Sequence, residues 1–145
     1  MFDAAAVASV PKFSNLPNTF PRMIKLVYVV QARDDVAPEE FHRYWLEEHG
    51  PLVASVAEDI RARKYVQSHT LDTPLNQALV ESRGLAPIHQ GITEVWWDSI
   101  DDLQAALTTD EGAQAGARLL EDEAKFIDFS KSTIFLTEEH VIFDR

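Results

Sequence analysis

The stretch PEEFHRYWLEEHGPLVASVAEDI, from Pro38 to Ile60, decides how this chain must fold. Wound as an α-helix, it places Phe41, Trp45, His49, Leu52 and Val56 on one arc of about 100°, which predicts an amphipathic helix with an imidazole among its core-facing residues. Asp34 and Asp35 ahead of Pro38, and Glu39 and Glu40 behind it, supply a turn, a first-turn proline and two acids at the positive end of the helix dipole. Pro51 has no amide hydrogen, and its ring opposes the carbonyl of Glu47, so the helix is expected to kink or restart there. Gly50 is expected to take the left-handed conformation that ends the first segment, leaving His49 held at the break.

Strands flank this helix. Met23–Gln31 reads MIKLVYVVQ, β-branched and aromatic and apolar on both faces at its centre, as expected of a strand covered on both sides. Arg63–Leu71 alternates, with Tyr65, Gln67 and His69 on one face and Val66, Ser68 and Thr70 on the other. The connection from Asp72 to Gln90 is too long for a hairpin turn and is expected to hold a short helix over Leu75–Glu81. Gly91–Asp98 is the third strand, carrying Ile92, Glu94 and Trp96 on one face and Thr93, Val95 and Trp97 on the other. Ser99 with Asp102 resembles a capping pair that opens a short helix, Thr109–Ile127 reads as another, and Lys131–Phe143 supplies the last strand.

The order strand, helix, strand, strand, helix, strand gives an α+β domain over residues 23–145. Its fold is the ferredoxin-like split βαβ sandwich, a four-stranded antiparallel sheet with helices on one face. The other face is apolar in strands one and three, so pairing with a second copy is expected to cover it. Residues 1–22 hold three of the seven prolines and no clear period, and read as an irregular arm.

Charge excludes some partners. With 24 acidic against 13 basic side chains the formal charge is −11, which repels nucleic-acid phosphates and anionic lipid surfaces. There is no cysteine, so disulfides, thiolate catalysis and zinc–thiolate sites are absent. The run Ala4–Val10 is too short for a secretory or membrane-spanning segment, and the chain is read as cytoplasmic.

Taken in order, Phe41, Tyr44-Trp45, His49-Gly50-Pro51-Leu52, Tyr65-Val66-Gln67 with His69, Asn76-Gln77-Ala78-Leu79, Ser82-Arg83-Gly84 and Gly91-Ile92 leading to Glu94-Val95-Trp96-Trp97-Asp98 resemble the EthD family of dimeric α/β barrels. The resemblance spans about Met23 to Phe143. It implies a subunit whose sheet pairs with that of a twin, making a barrel with a pocket on the non-helical face of each sheet. It also implies cofactor-independent chemistry on cyclic or aromatic small molecules, although the fold is constrained more tightly than the reaction.

His49 is the expected acid/base, because imidazole exchanges a proton near neutral pH; the bland alternative is a histidine that caps the broken helix. Glu94 is expected to orient His49 or act as a second proton carrier, unless it is an ion-pair partner of Lys25, Arg63 or an arginine of the second copy. Tyr65, Gln67 and His69 would line a pocket if their strand face points inward, and form a surface ladder otherwise. Trp45 and Trp96 are candidates for stacking on a flat ligand, although large aromatics serve the core more often. His42 and His49 stand two helical turns apart, about 10 Å, which rules out a shared metal, and no cofactor motif is present. The expected activity is a dehydratase, isomerase or cyclase acting on a hydrophobic cyclic or aromatic molecule, with the Leu71–Gln90 connection as a lid. Alternatives are an oxidoreductase or oxygenase partner in the degradation of small organic compounds, and a non-catalytic small-molecule-binding homodimer.

Overall fold

A computed structural model describes residues 23–145, and the arm expected over residues 1–22 lies outside the described residues. Strand β1 is Ile24–Val30, β2 Lys64–His69, β3 Gly91–Trp97 and β4 Thr133–Glu138. Helix α1 is Pro38–Tyr44, α2 Gly50–Ser55, α3 Pro74–Arg83, α4 Ile100–Thr108 and α5 Asp110–Glu123. The four strands form one antiparallel sheet in the order β2-β3-β1-β4, the ferredoxin-like arrangement. The central helix stops at Ser55, short of Ile60, and the last strand is about half the expected length. The 72–90 connection holds a full ten-residue helix, started by Pro74 behind the Thr73 cap and stopped by Gly84 in the left-handed conformation. Ser99 caps α4 as expected, its Oγ accepting from the amide of Asp102 at 3.1 Å.

Alternation along the strands separates two faces. Leu26, Tyr28 and Val30 of β1 and Thr93, Val95 and Trp97 of β3 are buried beneath the helices, in a core with Phe41, Trp45, Leu103, Phe126 and Ile127. Register settles the face of β2. Tyr65 pairs with Val95, Gln67 with Thr93 and His69 with Gly91, so these three polar residues point at the helix layer. Ile92, Glu94 and Trp96 lie on the opposite, helix-free face with Lys25, Val27 and Phe135.

The break at Pro51 is solved differently from the expectation. Gly50 is right-handed, with φ −55° and ψ −52°, and no left-handed residue interrupts the helix. Instead Trp45–His49 forms a π-helical turn in which the amide of Gly50 bonds to the carbonyl of Trp45. Widening the turn by one residue absorbs the missing proline donor without breaking the helix.

Trp45 is 1% exposed and lies flat beneath β2 and β3. Its ring stacks on His69 with centroids 4.4 Å apart and planes 20° from parallel. A Cβ on Gly91 would sit 2.3 Å from the carbonyl oxygen of Ser68 and 2.8 Å from Trp45 Cζ3. Gly91→Ala is therefore expected to destabilise the protein by about 1–3 kcal/mol through overpacking. An unchanged urea midpoint would show that the indole does not press on the strand.

Candidate functional site

The π-helical turn positions the expected catalytic residue. It brings Tyr44 and His49, five residues apart, to a single carboxylate on α5, that of Asp122. His49 Nδ1 lies 2.7 Å from Asp122 Oδ2, and the Tyr44 hydroxyl donates to Asp122 Oδ1 at 2.5 Å. Lys125, in the turn just after α5, also reaches Oδ1, at 3.3 Å. His49 is 3% exposed and sets its ring edge against Phe126. A carboxylate only accepts, so the neutral imidazole carries its proton on Nδ1 and its lone pair on Nε2, the tautomer required of a general base.

Burial alone would push the Asp122 carboxyl up. The hydrogen bonds from Tyr44 and His49, the His49 charge and the Lys125 contact outweigh burial and hold it below the usual carboxylate range. The Tyr44 phenol is pushed up by burial and by donating to that anion.

Glu94 does not join this group. It sits on the helix-free face, where its carboxylate pairs with Lys25 at 2.7 Å. Sheet geometry is the cause, because residue 94 alternates away from the helices that carry His49. Trp96 shares that face, its indole N–H bonded to Glu139 and its ring beneath the ammonium groups of Lys25 and Lys64.

The other expected contact residues do come together, on the helix side. Gln67 Nε2 donates to the Trp45 carbonyl at 2.7 Å and to the Tyr65 hydroxyl at 3.1 Å. Gln67 Oε1 lies 2.8 Å from His69 Nε2, and His69 Nδ1 lies 2.9 Å from Nδ1 of His42. Burial lowers the proton affinity of both imidazoles. At His42 the charge of Glu39 opposes that effect, and at His69 the neighbouring imidazole adds to it. Deeper in the same layer, Tyr28 and the buried Glu123 interact, and burial with that carboxylate raises the phenol's pKa far above its ordinary value.

Sequence reasoning missed His42, Tyr44 and Asp122 as site members. Asp122 and Glu123 interrupt the apolar stripe of Leu119 and Phe126 at helical spacing, a signal that the sequence does contain. A small apolar pocket of about 20 Å³ lies elsewhere, between Ile60, Trp97, Leu103 and Leu119. A wide concavity of about 560 Å³ is lined by Arg33, Asp34, Asp35, Asp128 and Phe129 and by none of these imidazoles. Among the described residues, no three His, Asp or Glu side chains come together as a metal site, and no helix is long and apolar enough to cross a membrane.

With this geometry in place, the chain can be set beside known proteins. Its fold is similar to that of an EthD family protein from Bacillus halodurans, with TM-score 0.55 and 23% identity over 81% of this chain and 99% of that one. It is similar to an EthD-like protein from Ralstonia eutropha, with TM-score 0.54 and 20% identity over 87% of this chain and 97% of the other. SnoaB, a cofactor-independent oxygenase from Streptomyces nogalater, is similar at TM-score 0.50 and 13% identity, over 85% of this chain and 99% of that one. No curated protein matches the chain. The model of the EthD domain matches residues 33–130, from the turn before α1 to the residues just before β4. More than half of its length therefore carries the family pattern, and the chain belongs to the EthD domain family.

Proposed function

We propose that this protein is a cofactor-independent acid/base enzyme that dehydrates, isomerises or cyclises a hydrophobic cyclic molecule, with His49 as the proton carrier. The observation that carries the reading is the carboxylate-bound imidazole of His49, fixed by Asp122 in the tautomer that offers Nε2 as base. Asp122 takes the orienting role expected of Glu94, and Tyr44 fixes the carboxylate. The working form is a homodimer. Ile92, Val27, Val29, Phe135 and Trp96 on the helix-free face are partly or largely exposed, and the same face on a second copy would close both sheets at once.

The test begins with mass spectrometry of small molecules retained by the purified protein, followed by turnover assays on the molecule identified. His49→Gln should lower kcat by roughly a hundredfold or more while the variant remains folded and dimeric by melting and light scattering. Full turnover by a folded His49→Gln dimer would remove the mechanism. Dependence of the wild-type rate on dioxygen would move the protein to oxygenase chemistry, and retention of a ligand without turnover would make it a binding dimer.

A further inference from the structure

Between α1 and the end of β2 lies a chain of hydrogen bonds whose direction one backbone atom determines. The carbonyl of Trp45 can only accept, so the group 2.7 Å from it must be the amide nitrogen of Gln67. That orientation turns Gln67 Oε1 toward His69, whose Nε2 must therefore donate across the 2.8 Å contact. A neutral imidazole with its proton on Nε2 has its lone pair on Nδ1, so across 2.9 Å it is His42 Nδ1 that donates to His69. His42 is left with its proton turned inward and its lone pair on Nε2. Among the described residues, the bond to His69 is the only hydrogen bond the His42 side chain makes.

We infer that His42 Nε2 is a recognition point for a hydrogen-bond donor, the hydroxyl of a small molecule, and that Gln67 and His69 hold it in that state. The polarity of the chain selects the donor. A carbonyl or carboxylate would face a lone pair, and Glu39, whose charge is felt at His42, further disfavours an anion. Both imidazoles are half-buried and held neutral by that burial, so the acceptor is present at neutral pH. The indole of Trp45, buried and stacked on His69, holds that imidazole in place from within the core. The site does not include the His49–Asp122 pair, and the inference does not rest on the proton-transfer reading.

The test needs no knowledge of the natural ligand or of turnover. Long-range proton–nitrogen NMR of the full chain near neutral pH should find His42 with its proton on Nδ1 and His69 with its proton on Nε2. Naphthol should move the His42 Nε2 resonance and bind about tenfold more tightly than its methyl ether, the difference that one neutral hydrogen bond makes in a half-buried site. In His42→Phe, which keeps a flat ring and removes the acceptor, that preference should vanish. A proton found on His42 Nε2, no shift of that resonance up to the solubility limit of naphthol, or equal binding of the two probes would each overturn the inference, as would a preference that survives in His42→Phe. If the variant does not fold, the wild-type tautomer and probe titration decide the matter alone.

Discussion

Asp122→Ala is expected to lower stability by about 2–5 kcal/mol, because two buried donors lose their shared acceptor at once and each stranded donor costs about 1–3 kcal/mol. The aspartate side chain is 10% exposed and that of His49 4% exposed, so water does not readily replace the missing oxygens. One truncation leaves His49 Nδ1 and the Tyr44 hydroxyl without their acceptor and unties the π-helical turn from α5. Asp122→Asn should cost less, about 1–3 kcal/mol, because the amide oxygen can still accept one of the two bonds. Urea denaturation of the three proteins measures both values.

A pH dependence follows from the same carboxylate. The native state holds the Asp122 pKa below the unfolded value of 3.8. In that window the unfolded chain binds the proton first, so this contribution to stability is complete above 3.8 and is lost as pH falls through the native value. Asp122→Asn should flatten the acid limb of the stability profile. An acid limb that is unchanged in the variant would show that other carboxylates govern it.

Trp45→Ala is the second large effect, expected at about 3–5 kcal/mol from the cavity left by a fully buried aromatic. The indole packs against Phe41 at 5.5 Å, stacks on His69 and fills the space that Gly91 leaves open. Its loss therefore also frees the imidazole at the end of β2. Trp45→Phe should recover much of the stability by restoring a ring to the site. If Trp45→Ala kept the wild-type urea midpoint, the indole would not be the keystone between α1 and the sheet.

The His49 neighbourhood shows why the fold was legible in the sequence and the site only in part. The helix face of Phe41, Trp45 and His49 follows from local periodicity, and so does the alternation that puts Trp96 and Trp97 on opposite sides of β3. Pro51 announced a disturbance in the helix. Whether it would be relieved by a left-handed Gly50 or by a wider turn depended on packing, because a π-helical turn has no strong local signature. The wider turn then decided that Tyr44 and His49 share one acceptor.

Glu94 and Asp122 mark the boundary most clearly. Both are acids in elements with buried neighbours, and composition treats them alike. The sheet pleat sends one to Lys25 on the helix-free face, while α5 carries the other under the helix layer to an imidazole 73 residues earlier in the chain. By itself the sequence determined the order of strands and helices, the two side-chain sets of β3, and the burial of His49, since each rests on contacts or periodicities within a few residues. Only the tertiary structure decided which carboxylate meets that imidazole, which way β2 faces, and that His42 and His69 touch. Those outcomes depend on register and helix placement across the whole domain, where one residue of slip would reverse every side chain.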